Sequence, residues 1–168
     1  FKLPIGSPAI EFDLLGVDGR NYMLRYYHDR EMIVVIFTCN HCPYAQAYES
    51  RLFRLSREFS AKAAFFAINS NDDIKYPQDS FEGMKVRAKE KGFPYPYLRD
   101  ESQETARAYG ALVTPHVFVF DRSGRLAYQG GIDNNWENEA AATEHYLRDA
   151  LTELAIGRKV TRKTAPVI

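Results

Sequence analysis

Cysteine is nearly absent from this chain: two residues, Cys39 and Cys42, in 168. Two cysteines do not make the disulfide framework of a small secreted domain, and a chain of this length buries a core without such staples. An excess of either charge is also missing. Lys and Arg number 22 and Asp and Glu 22, a formal net charge of zero. A broadly basic surface, the footprint of nucleic-acid binding, is therefore not expected. Long apolar runs are lacking too. Met32–Phe37 and Ala63–Ile68, six residues each, fall far short of the roughly 20 that span a bilayer. Aromatic residues are plentiful, with 11 Phe and 11 Tyr beside a single Trp, which argues against disorder.

Length and composition read as one domain over residues 1–168. The chain opens on Phe1 rather than Met. We read this start as trimmed, so the compartment stays open between a bacterial cytoplasm and an exported, periplasmic location.

Three runs lack polar alternation and predict strands buried on both faces: Met32–Thr38, Ala63–Ile68 and Val117–Phe120. Helical spacing falls between them. Ala45, Tyr48, Leu52, Leu55 and Phe59 share one face of a helix over Pro43–Phe59. Asp79 and Ser80 open a second helix, with Glu82 as capping partner and Gly92 as its stop. Asp100 and Gln103 open a short third helix ending at Gly110, and a fourth is expected over Asn138–Ile156. Ile10–Leu14 and Arg20–Leu24 flank a Gly16–Gly19 turn as one hairpin. Val117–Phe120 and Leu126–Gln129 flank Asp121–Gly124 as another, and Arg158–Ile168 reads as an extended tail. The order is hairpin, β, α, β, α, α, hairpin, α: an α/β sheet with a parallel centre and an antiparallel edge.

Cys39-Asn40-His41-Cys42 is a C-x-x-C that follows a buried strand and precedes a helix. At the carboxyl end of a central strand, this is where α/β proteins place their chemistry. The helix start favours an anion, so Cys39 is expected to be an activated thiolate with a lowered pKa. Cys42, one turn on, is expected to be the more buried, resolving sulfur. His41, with Asn40 beside it, lies between the sulfurs and is expected to ease reduction of the disulfide by favouring the thiolate. The competing readings are inert structural thiols and an exposed, uninvolved His41. Thr114-Pro115 stands at a strand entrance, where X-Pro is either trans by default or cis by design. Asn69, Asn71 and Asp72 follow a buried strand, and read equally well as turn residues or as the rim of the site.

Phe37-Thr38-Cys39-Asn40-His41-Cys42-Pro43-Tyr44, with Thr114-Pro115 further on, resembles the thioredoxin superfamily. Gly6-Ser7-Pro8-Ala9 and the first hairpin resemble its redoxin branch. Ala67–Asp72 and Pro96–Gln103 look like a narrower bacterial group of AhpC/TSA-like, thioredoxin-like proteins. The resemblance implies a thioredoxin-like α/β fold. A central mixed sheet would carry helices on both faces, an N-terminal hairpin extension, and a βα segment inserted before Pro115. It implies that Cys39 attacks, Cys42 resolves, Pro115 is cis against the dithiol, and Thr114 pairs its backbone with a substrate polypeptide. Two acids known from relatives are missing: Ile33 and Ala45 stand at those positions, and Glu49 lies two turns along the helix, too far to reach the sulfur.

The expected activity is thiol–disulfide exchange on a protein or small-thiol disulfide, with a separate redox partner. No cofactor or resident metal beyond the dithiol is expected, and the chain is expected to be a monomer. Peroxidase chemistry is the main alternative. Aligned on Cys42, the peroxiredoxin P-x-x-x-T-x-x-C pattern meets Val35 and Cys39 where Pro and Thr belong. A copper-delivery role, with His116 as third ligand to the two cysteines, is the non-enzymatic alternative.

Overall fold

The computed structural model describes residues 1–167. Seven strands form one sheet in the order β2-β1-β5-β4-β3-β6-β7. The two long central strands are β3 (Met32–Thr38) and β4 (Ala63–Asn69), parallel and in register from Met32↔Ala63 to Thr38↔Asn69. Every residue of both is buried, which is why neither shows polar alternation. β6 (His116–Phe120) runs antiparallel to β3, and β7 (Leu126–Gly130) antiparallel to β6. β1 (Asp13–Gly16) and β2 (Asn21–Met23) form the first hairpin. It is displaced from the Ile10–Leu14 and Arg20–Leu24 arms expected, because β1 also pairs with β5 through Leu15↔Arg99 and Gly16↔Leu98.

β5 (Tyr97–Arg99) is the strand of the inserted βα segment and is absent from the element order read from hydrophobic pattern. Three residues between Pro96 and a charged Asp100 carry too little periodicity to be read.

α1 spans Pro43–Glu58, α2 Phe81–Lys91, α3 Glu104–Tyr109 and α4 Tyr146–Ala155. α1, α2 and α4 cover one face of the sheet, where Leu52, Met84 and Leu147 meet Val34 and Ile36. α3 and the N-terminal segment cover the other, where Tyr109, Leu3 and Phe12 join Val35 and Phe37. Each such side chain contributes about 1.5–3 kcal/mol on burial.

α4 begins eight residues later than the expected Asn138 start. The Asn134 side chain accepts from the backbone N–H groups of Thr143 and Glu144 at 2.9 and 3.2 Å. That bridge holds the intervening chain as a loop, with a single 3₁₀ turn at Glu139–Ala141. The tail is extended as expected, and it is also docked: Gln129 N–H reaches Lys163 O, and Gly131 N–H reaches Pro166 O, beside β7. Ile168, its last residue, lies outside the described residues.

Candidate active site

The parallel pair β3/β4 ends at one edge of the molecule, and β6 starts at that edge beside β3, with His116 opposite Phe37. Cys39 and Thr114 therefore arrive side by side. The Thr114–Pro115 peptide bond is cis. Thr114 meets both sulfurs. Its hydroxyl lies 3.3 Å from Cys39 Sγ, and its carbonyl accepts from the Cys42 thiol at 3.6 Å. Both thiols are free. Cys42 is the N-cap of α1 and Pro43 its first residue, where a missing N–H costs nothing.

Exposure of the two sulfurs reverses the expectation. Cys39 is 1% exposed, whereas Cys42 is only half-buried. Cys39 extends the buried run of β3, while Cys42 sits at the surface start of α1. The expected lowering of the Cys39 pKa is likewise not found. Burial pushes the thiol up to about 11, and the donors from Thr114 and Cys42 N–H offset only part of that rise.

Beneath the sulfurs lies a polar network centred on Asp79, which is fully buried. Its Oδ1 accepts from Asn40 N–H at 2.5 Å and from Asn69 Nδ2 at 3.0 Å. Its Oδ2 accepts from His41 Nδ1 and from Asn71 Nδ2 at 3.1 Å. Burial alone would raise this carboxyl, but the four donors outweigh it and hold Asp79 below the usual carboxylate range. His41 stacks flat on Tyr76, ring centroids 3.9 Å apart. Asn40 turns its side chain away from the sulfurs, accepting from Tyr97 Oη at 2.7 Å and donating to Gln78 O at 2.6 Å. Arg99 of β5 closes the network by donating to Asn71 O at 2.8 Å.

Asp79 is the residue that sequence reasoning missed. It reads as a helix opener, yet Ser80 alone caps α2, accepting from Gly83 N–H at 3.1 Å. Asp79 sits in a 3₁₀ turn, Pro77–Asp79, and points inward. Two adjacent residues of cap type, of which a helix can use one, were the available signal. Asn69 and Asn71 join the site, whereas Asp72 serves its own turn by accepting from Ile74 N–H at 2.9 Å. Glu49 is clamped by Arg87 at 2.6 and 2.7 Å.

The copper reading with His116 is not supported. His116 faces Gln129 Oε1 at 3.2 Å and stacks on Phe118. Among the described residues, the group that converges within 4.8 Å is instead Cys39, His41 and Asp79. There Asp79 accepts from His41 Nδ1, Asn69 and Asn71. Beside Thr114 opens a cleft of about 330 Å³, lined by Thr38, Asn71, Gln103, Arg107 and Val113 among others.

The sheet order and this site at its edge define a thioredoxin-like α/β protein. More narrowly, the chain belongs to the AhpC/TSA family, which it matches over residues 5–129. It is similar to an uncharacterized conserved protein from Geobacillus kaustophilus, 40% identical, with a TM-score of 0.91 and coverage of 97% of this chain and 88% of that one. The fold alone is shared with the thioredoxin domain of a thiol-disulfide oxidoreductase from Bacteroides vulgatus, at 15% identity, TM-score 0.66 and coverage of 76% and 89%. It is also shared with the peroxidoxin BcpB from Mycobacterium tuberculosis, at 18% identity, TM-score 0.67 and coverage of 92% and 98%. No curated protein matches the chain. Family and fold together support a redox enzyme of the thioredoxin type. No helix among the described residues is long and apolar enough to cross a membrane.

Proposed function

We propose that the chain is a thiol–disulfide oxidoreductase working through Cys39 and Cys42 on a protein or small-thiol disulfide. The observation that carries this reading is the division of labour at Thr114. The Thr114 hydroxyl lies 3.3 Å from Cys39 Sγ, placed to donate to a thiolate there, whereas Cys42 Sγ is given a carbonyl acceptor. Donors stabilise a thiolate and an acceptor retains a thiol proton. Cys39 is thus the attacking sulfur despite its burial.

Its thiolate attacks one sulfur of the substrate disulfide, forming a mixed disulfide and releasing the first thiolate. Cys42 then loses its proton and attacks Cys39 Sγ. The Cys39–Cys42 disulfide forms, the second substrate thiol leaves, and two electrons have passed to the substrate. A separate dithiol or disulfide partner resets the pair, and no bound cofactor is required. The Thr114 backbone pairs with a polypeptide substrate, and the cleft beside Thr114 is open to the flanking side chains of that substrate.

The half-exposed Cys42 favours a second reading, peroxide reduction at that sulfur. Val35 and Cys39 where a peroxidase of this family needs Pro and Thr count against it. A Cys42→Ser variant, which cannot resolve a mixed disulfide, separates the two. It is expected to trap the substrate on Cys39, as read by peptide mass spectrometry, while the parent protein turns over insulin or glutathione disulfide. No mixed disulfide on Cys39, with peroxide turnover that survives Cys39→Ser, would replace exchange by peroxidase chemistry.

A further inference from the structure

We infer that Asp79 is a positioning residue of the dithiol: a buried negative charge, covered by His41, whose field opposes a thiolate on Cys39. This rests on the exchange reading above and deepens it.

Three facts carry the inference. Asp79 is fully buried, so water does not screen its charge. One of its oxygens lies within 4.8 Å of both Cys39 Sγ and a His41 ring nitrogen. Its carboxylate touches the dithiol loop twice, at Asn40 N–H and at His41 Nδ1, so it fixes the chain between the two sulfurs. An ionised carboxylate is acceptor-only, so His41 must donate from Nδ1. The stack on Tyr76 holds the ring in that pose.

The remaining groups around the pair are few. Cys39 and Asn40 follow β3, Cys42 caps α1, Asn69 ends β4 and Asn71 follows it. β5 contributes the Tyr97 hydroxyl, through Asn40 and Asn69, and Arg99, which binds the Asn69 and Asn71 backbone and lies 3.8 Å from Asp73. Lys75 lies over the outer ring, Tyr76, at 5.4 Å. Thr114 closes the top. Of these, only Asn40, Asn69 and Asn71 touch Asp79, and none of the three is ionisable.

The two residues must therefore act on Cys39 with opposite sign. Removing the carboxylate removes a like charge from beside the thiolate. Removing His41 leaves that charge uncovered. A like charge within about 4–6 Å moves a titration by about one pH unit or more.

The test is the pH titration of the Cys39 thiolate, by its ultraviolet absorbance and by iodoacetamide rate, with Cys42→Ser in every protein so that one sulfur reports. Asp79→Asn is expected to shift the titration about one unit down and His41→Ala to shift it up. Because His41 acts through Asp79, the combined variant should shift as far down as Asp79→Asn alone, not to the near-zero sum of the two. Shifts of the same sign, or none in a folded Asp79→Asn protein, overturn the inference. Should Asp79→Asn fail to fold, Asn71→Ala decides. It strips one donor from Asp79 and leaves the buried anion in place, so it must shift the titration up as His41→Ala does, and no shift overturns the inference. The readout uses no disulfide substrate. Opposite shifts in a protein that turns over no disulfide would uphold the role of Asp79 and remove the proposed function.

Discussion

Thr114 meets the two sulfurs with opposite ends of its hydrogen-bonding capacity, and that asymmetry matters more than the depth of either thiol. A thiol buried without donors would be inert. Cys39 is buried with donors, and its raised pKa is the balance of the two. Reduction potential follows from the same balance, since whatever disfavours the thiolate disfavours the reduced form. His41→Ala uncovers Asp79 beside Cys39 and should make the pair more reducing. A charge interaction of about 1–2 kcal/mol corresponds to a potential lower by about 20–40 mV. Equilibration in glutathione buffers measures it, and a potential unchanged or raised would mean that Asp79 does not act on the sulfur through His41. At this scale the sequence was legible where chemistry follows spacing: Cys39, Cys42, Thr114 and Pro115 do come together. It was illegible where a side chain has two plausible local uses. Asp79 beside Ser80 looks like a cap until the fold shows which of them turns inward.

Elements with strong period were readable, and those fixed by a neighbour were not. β3, β4 and α1 stand within a residue or so of their apolar patterns because those patterns are the core. β5 exists because β1 and β4 offer it two edges, and the late start of α4 follows from the Asn134 bridge. The tail is another case, since its docking depends on β7 having no side chain in the way. A Cβ on Gly131 would lie 2.4 Å from Pro166 O, and one on Gly130 would lie 2.4 Å from Ala165 O, with φ already at 150°. Gly131→Ala meets no conformational barrier of its own, so its effect reports the close approach. The tail must move off β7, at about 1–3 kcal/mol for an overpacked contact. Trypsin should then cut after Arg162 or Lys163 much faster than in the parent protein, and amide exchange at Gln129, which donates to Lys163 O, should accelerate. Unchanged cleavage would mean the tail is not held by this edge.

Across the whole molecule, the acid response of stability separates two buried groups, His116 and Asp79. His116 is buried against Phe118 and Gln129, and burial pushes its pKa down to about 4 from 6.5. The unfolded chain therefore takes up a proton that the folded chain refuses. The sign is fixed: stability is untouched above about pH 6.5, falls as pH drops from there towards about 4, and levels off below, where both states are protonated. The full excursion is about 3 kcal/mol. Asp79 acts in a lower window. Its carboxyl is held below the ordinary value of 3.8, so its contribution is complete above that pH and is lost only as pH falls through the folded value. Stability from urea titrations, measured between pH 7 and 4.5 for the parent and for His116→Gln, isolates the first effect. Glutamine keeps a donor for Gln129 but cannot titrate. The difference between the two proteins should shrink or reverse in favour of the variant as pH falls, because carboxylates common to both cancel. Parallel pH profiles would mean that His116 takes a proton in the folded state as readily as in the unfolded one, and that the pocket around it is wetter than its 8% exposure implies.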